Sequence, residues 1–349
     1  MKKKTLEKER VASFASGFSR RRFLAGGGAL LLLGAAGCGS SEGSSSEEGS
    51  SEGGSIRHKY GSTEVPGRPR NIVSVGYTDQ DPILALGGAL LGVREWFGEY
   101  EYSVWPWTKD ELGDRRPETV ADATSINFES VASVDPDLIV GISSGMTRED
   151  YDTLSGIAPT LPQSDRWVDY GVPWQDQTRV IGQALGRENE ANRLISDLED
   201  RFAQAREEYP QLEGATIAVI GAGEGLFYFY TAADRSTGFF TDLGFTVYRE
   251  AAALAEDSEN FAVEISEEEF ASIGGADVLV VFASTPEDEE DIRANGIFRQ
   301  LPNVQDDRVV YLSDPEDQNY GALSFNTVLS TPYLLENLVP EVAEMVERT

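Results

Sequence analysis

Thiols and imidazoles are nearly absent from this chain: one cysteine, Cys38, and one histidine, His58, among 349 residues. A lone cysteine closes no intrachain disulfide, and one histidine without thiols cannot assemble a zinc or manganese site of the usual kind. Axial haem ligation would fall to a tyrosine, because His58 opens a His-Lys-Tyr-Gly stretch where a structural role is expected. Positive charge is scarce as well. The 29 Lys and Arg face 60 Asp and Glu, for a net charge of −31. Such a balance excludes nucleic acid as a partner and also suits a protein of a saline habitat. Long hydrophobic runs are missing too: the run Ala25-Gly26-Gly27-Gly28-Ala29-Leu30-Leu31-Leu32-Leu33 is too short to span a bilayer permanently, and its glycines disfavour a buried helix.

What is present begins with that run. Lys2-Lys3-Lys4 and Ser19-Arg20-Arg21-Arg22-Phe23-Leu24 precede it, and Ala35-Ala36-Gly37-Cys38 follows. Residues 1–38 read as an export signal, with Arg20 and Arg21 resembling a twin-arginine pair and Cys38 a lipidation site. Ala35 stands where leucine is usual three before the cysteine, which leaves cleavage and release open beside lipidation. Residues 39–55, almost all Gly, Ser and Glu, read as a flexible tether. A lipidated Cys38 would hold the globular part on the outer face of the cytoplasmic membrane.

The remainder alternates apolar strands with helical segments. Strands are expected at Asn71–Val75, Asp137–Gly141, Thr216–Ile220, Asp277–Phe282 and Arg308–Leu312, and their continuous apolar character implies parallel sheets covered on both faces. Between the two sets, Val180, Ile181, Ala184, Leu194, Ile195, Leu198 and Phe202 recur at helical spacing. The segment 174–209 therefore reads as a connector, with a break near Gly186. The lobes it joins are 56–173 and 210–349.

Two distant segments repeat. Asn127-Phe128-Glu129 precedes one strand and Ser266-Glu267-Glu268 another, each with an N-cap residue and a carboxylate two positions later. Glu129 and Glu268 offset a helix dipole there; as equivalent acidic knobs, one per lobe, they also suit docking onto basic pockets of a membrane partner.

His58-Lys59-Tyr60-Gly61, Pro69-Arg70-Asn71-Ile72-Val73, Pro136-Asp137-Leu138-Ile139-Val140-Gly141, Gly182-Gln183-Ala184-Leu185-Gly186 and Leu301-Pro302-Asn303-Val304 stand in an order and spacing that resemble the iron-siderophore substrate-binding proteins of ABC importers. The resemblance covers most of 56–345. It implies an α/β fold of two Rossmann-like lobes joined by one long connector helix, with the ligand in the cleft between them. It further implies a monomeric binding protein, not an enzyme, that needs no cofactor and delivers an intact ferric siderophore to a permease; Glu129 and Glu268 would meet arginines of that permease.

A finished chelate leaves its carrier to supply aromatic faces and a few cations. All five tryptophans lie between Trp96 and Trp174, and the Tyr100–Trp107 stretch reads as a loop at a strand end. Trp105, Trp107 and Tyr102 are the first ligand candidates, with Trp167, Tyr170 and Trp174 behind them. On the other lobe Tyr228, Tyr230, Arg235 and Tyr320 are candidates, with Arg235 expected in an aromatic loop and Asn319 and Asn326 at the rim. Cobalamin or haem would be the alternative ligand. An exported enzyme is the rival reading, and it has little to use. Gly221-Ala222-Gly223-Glu224-Gly225 is similar to a dinucleotide fingerprint, but Leu226 replaces its last glycine and no amphipathic helix follows.

Overall fold

The computed structural model describes residues 54–348 apart from 99 and 315. Arg20, Arg21, Cys38 and the tether to residue 53 lie outside the described residues. The described part opens with an antiparallel hairpin, β1 (Ser55–His58) and β2 (Gly61–Glu64), so the first strand starts inside the segment assigned to the tether.

The first lobe is built on five parallel strands: β3 (Ile72–Ser74), β4 (Leu90–Arg94), β5 (Glu118–Ala121), β6 (Leu138–Gly141) and β7 (Thr160–Pro162), in the order β5-β4-β3-β6-β7. Strand side chains alternate between faces, and the two faces feed different cores. Ile72, Leu138 and Val140 enter one apolar cluster, while Val73 and Ile139 enter the other. Helices cover both, which is why these strands carry no polar face.

The second lobe contains β8 (Thr216–Gly223), β9 (Leu226–Tyr230), β10 (Thr246–Val247), β11 (Ala262–Ile265), β12 (Val278–Ala283) and β13 (Val309–Leu312). Their order is β11-β9-β8-β12-β13, with β10 on the first residues of β8. Here the expectation of wholly parallel sheets needs correction: β9 runs antiparallel to β8 and to β11. The stretch Phe227–Tyr230 is a strand, not an aromatic loop. Glu224 and Gly225 both take positive φ, 53° and 77°, and so close a two-residue hairpin of the kind that matches strand twist. That turn absorbs the glycines of the fingerprint-like run.

The repeat seen in sequence is a repeat of structure. Phe128–Ser133, capped by Asn127, feeds β6; the 3₁₀ turn Glu267–Ser272, capped by Ser266 with Glu269 in a reciprocal box, feeds β12. Just before each of these strands an aspartate pins the start of its neighbour: Asp137 accepts from the Arg70 and Asn71 amides, and Asp277 accepts from the Thr216 amide and hydroxyl.

Helix α1 (Gln80–Ala85) follows β3. Two later helices link the lobes: α2 (Trp174–Ala184) and α3 (Glu188–Glu208) come after the first sheet and are separated by Gly186 at φ 63°. A Cβ on Gly182 would stand 2.3 Å from the Ala191 Cβ, so α2 and α3 cross at backbone distance. Helix α3, roughly 30 Å long at 1.5 Å per residue, belongs to both lobes. Ala191 sits in the first lobe's core, Leu194 touches both, and Ile195, Leu198 and Phe202 sit in the second lobe's core.

Candidate functional site

The loops after β3, β4 and β6 meet the second lobe along one seam, and a buried polar cluster marks its floor. Helix α4 (Arg235–Asp242) follows β9; Asp234 caps it by accepting from the Ser236 and Thr237 amides. Arg235 is thus the first residue of a helix rather than part of a loop, and its side chain reaches across the seam. One guanidinium NH2 donates to Thr78 Oγ1 (2.9 Å) and Ser143 Oγ (3.1 Å), the other to Gln177 Oε1 and the Asn326 carbonyl (both 2.9 Å). Thr78 and Ser143 belong to the first lobe, Gln177 to α2, and Asn326 ends helix α5 (Gln318–Phe325) of the second lobe. Neither Asp234 nor Asp242 pairs with this arginine, since Asp242 accepts from Trp174 Nε1.

Two carboxyls lie beside it. Asp79 accepts from Gln177 Nε2 and the Ser143 amide; Asp81 accepts from Trp107 Nε1 and, across the seam, from the Thr327 hydroxyl. Burial raises both, Asp81 to about 7, against hydrogen bonds that favour the ionised form. Burial likewise lowers Arg235 to about 10, opposed by Asp79, Asp234 and Asp81. The cluster ties the lobes together through donors and acceptors from both.

Gly141-Ile142-Ser143-Ser144-Gly145 has the spacing of a nucleophile elbow after a strand. Ser143, however, accepts from Arg235, and His58 is held by Thr63 (2.9 Å) and packed on Tyr151 inside the N-terminal hairpin region. No group of His, Cys, Asp and Glu among the described residues could hold a metal ion.

Above the polar floor runs a chain of aromatic rings drawn from both lobes. Phe261 meets Tyr170 (5.6 Å between centroids), Tyr170 meets Tyr77 (5.8 Å), and Tyr77 meets Trp96 (5.2 Å). Trp96 then meets Phe325 of α5 (5.4 Å), around which Phe97, Trp105 and Trp107 gather. The line continues from Phe97 to Tyr320 (5.4 Å), Phe282 (5.3 Å) and Tyr230 (5.9 Å). Burial pushes the Tyr170 and Tyr320 hydroxyls up to about 12 and Tyr230 higher still, so all three stay neutral.

Of the residues singled out in sequence, Trp107, Tyr170, Tyr230 and Tyr320 stand in this line and are half-buried. Trp105 also belongs to it but is only 1% exposed, stacked on Trp107 at 4.8 Å and wedged against Gly98 and Gly321. Tyr228 precedes Tyr230 on the same face of β9. Tyr102 lies under Arg116, and Trp167 bonds Asp176; both remain with the first lobe. Trp174 is buried against Phe202 in the second lobe's core. Glu129 and Glu268 are exposed on their separate lobes. Sequence reasoning passes over Tyr77, Arg94, Phe97, Phe261 and Phe325. Arg94, which ends a buried strand and lies 4.1 Å over the Tyr77 ring, carries the one available signal: a charge placed directly after an apolar strand.

The fold is shared with known proteins. A family model described as "Periplasmic binding protein" matches residues 72–316. The probable siderophore-binding lipoprotein YfiY of Bacillus subtilis is 26% identical over 234 residues, 65% of this chain and 68% of that one. Among solved structures, a periplasmic solute binding protein from Mycobacterium smegmatis superposes with a TM-score of 0.73 at 31% identity, covering 85% of this chain and all of that one. PiaA from Streptococcus pneumoniae in complex with ferrichrome gives 0.74 at 26% identity, over 84% of this chain and 99% of that one.

Proposed function

The chain belongs to the periplasmic binding protein family, and on that footing we propose that it is the extracytoplasmic solute-binding component of an ABC importer, capturing an intact ferric siderophore between its lobes. The observation that carries this reading is the aromatic line shared by two lobes that α2 and α3 join. A ferric chelate has its iron satisfied and presents a large, partly apolar shell; half-buried rings in a closable seam suit that shell without any protein ligand to the metal.

In this reading Trp96, Trp107, Tyr170, Tyr230 and Tyr320 contact the ligand. Arg235 would reach it only by giving up Thr78 and Ser143 as the lobes part, so it acts first as a clasp. Modest hinge motion about α3 opens the seam. Glu129 and Glu268 dock on the permease, the twin-arginine signal directs export, and lipidated Cys38 with its tether keeps the carrier beside the membrane. No helix among the described residues is long and apolar enough to cross a membrane.

Tryptophan fluorescence tests the proposal. The full-length protein should be quenched saturably by a ferric siderophore and not by the iron-free compound, and Trp96→Ala with Trp107→Ala should weaken binding at least tenfold without unfolding. Quenching by cobalamin or haem alone would assign a different ligand, and affinity unchanged in the variants would remove the seam as the site.

A further inference from the structure

The seam is rich in rings and poor in available positive charge. The segments that flank it, 75–81, 94–107, 122–124, 142–146, 163–173, 230–235, 259–261 and 313–327, hold three cations: Arg94, Arg166 and Arg235. Each is engaged. Arg94, only 4% exposed, donates to the Asp122 and Val75 carbonyls and lies on Tyr77. Arg235 places four hydrogen bonds on protein acceptors, and Asp234 and the Asn326 carbonyl, on its own lobe, remain beside it when Thr78, Asp79, Asp81 and Ser143 withdraw with the first lobe. Arg166 is largely exposed; it lies over Trp167, which stands outside the ring line, and pairs with Asp176 at 3.6 Å.

Carboxylates, by contrast, rim both ends. Tyr100 donates to the Glu316 carbonyl, which sets the exposed Asp314 and Asp317 beside the ring cluster. At the other end the Tyr77 hydroxyl donates to the Ala123 carbonyl, next to exposed Asp122, and Glu259 is exposed close to Phe261 in the chain, whereas Asp169 beside Tyr170 is paired with Lys59 at 2.6 Å. Like charges gathered this way repel an anion and attract a cation over about one Debye length, ~8 Å at physiological salt. Aromatic faces add to the attraction for a cation and also pack against a neutral, partly apolar shell.

Resting on the carrier reading above, we infer that the site selects ferric chelates by charge: neutral or cationic complexes, of the tris-hydroxamate type, in preference to trianionic tris-catecholates. Three hydroxamates cancel the charge of ferric iron, whereas three doubly ionised catecholates leave an excess of negative charge. A binding site for the latter would need free cations that this seam does not offer.

Equilibrium dialysis of the full-length protein against radio-iron-labelled ferrioxamine B (cationic), ferrichrome (neutral) and ferric enterobactin (trianionic) tests the inference. The first two should bind at least tenfold more tightly than the third. Raising the salt concentration should leave ferrichrome unchanged and narrow the gap to enterobactin as repulsion is screened. Enterobactin binding as tightly as the others, or more so, would overturn charge selection while leaving the carrier reading intact. Failure of all three to bind would overturn the carrier reading and the inference with it.

Discussion

Arg235 shows both how far a single residue can be read from sequence and where the reading stops. A lone arginine beside aromatic residues is conspicuous, but its hydrogen-bond partners Thr78 and Ser143 lie 157 and 92 positions away. Nothing local identifies them, because small hydroxyl residues after a strand look alike whether or not a charge will reach them. Asp81 is equally unreadable: it sits in a short helix start, and only folding surrounds it with Trp107 and Thr327 and removes it from water. Its raised value has a testable consequence. The folded carboxyl holds its proton to about pH 7, whereas an unfolded aspartate gives it up near pH ~4. Between those values the folded state binds more protons, so stability falls as pH rises through the window and levels off above it. Asp81→Asn cannot titrate. Its stability relative to the wild type, measured by urea denaturation, should therefore rise between about pH 4 and pH 7; a difference independent of pH would rule out a buried, titrating Asp81.

Among strands and helices, sequence pattern serves well where burial is periodic and poorly where an aromatic run mixes faces. The parallel strands are legible because both faces of each sheet are buried, and the repeat is legible because its caps and its strands recur together. The strand β9 is not. Phe-Tyr-Phe-Tyr shows no polar alternation, and its pairing is set by the Glu224-Gly225 turn, whose glycine looks like part of a phosphate-binding loop. The break at Gly186 is readable from glycine alone; the close crossing of α2 and α3 requires knowing that Gly182 faces Ala191. Since a Cβ there would approach within 2.3 Å, Gly182→Leu should force the helices apart and lower stability by about 1–3 kcal/mol. Gly182→Ala should cost less. Equal denaturation midpoints for the leucine variant and the wild type would show that the helices do not meet at backbone distance.

Two lobes, one shared helix and a seam together form a device for catching and releasing a bulky solute. Membership of the family is legible in the order of many weak motifs, although the aromatic seam itself depends on residues contributed from separate loops, strands and helices of both lobes. In the proposed carrier, Glu129 and Glu268 would extend the device outward to the permease. Replacing Glu129 and Glu268 together with alanine should abolish ligand uptake in cells while leaving ligand affinity of the purified protein unchanged; a loss of affinity would show that these carboxylates serve the binding site instead.

A ferric complex held between the lobes, against the aromatic line, would be located outright by anomalous diffraction at the iron edge from crystals grown with ferrichrome. One iron peak should lie in the seam, with Trp96, Tyr170 and Tyr320 around the chelate and no protein atom coordinating the metal. An iron peak on one lobe away from these rings, or iron ligated by protein side chains, would refute binding in the seam.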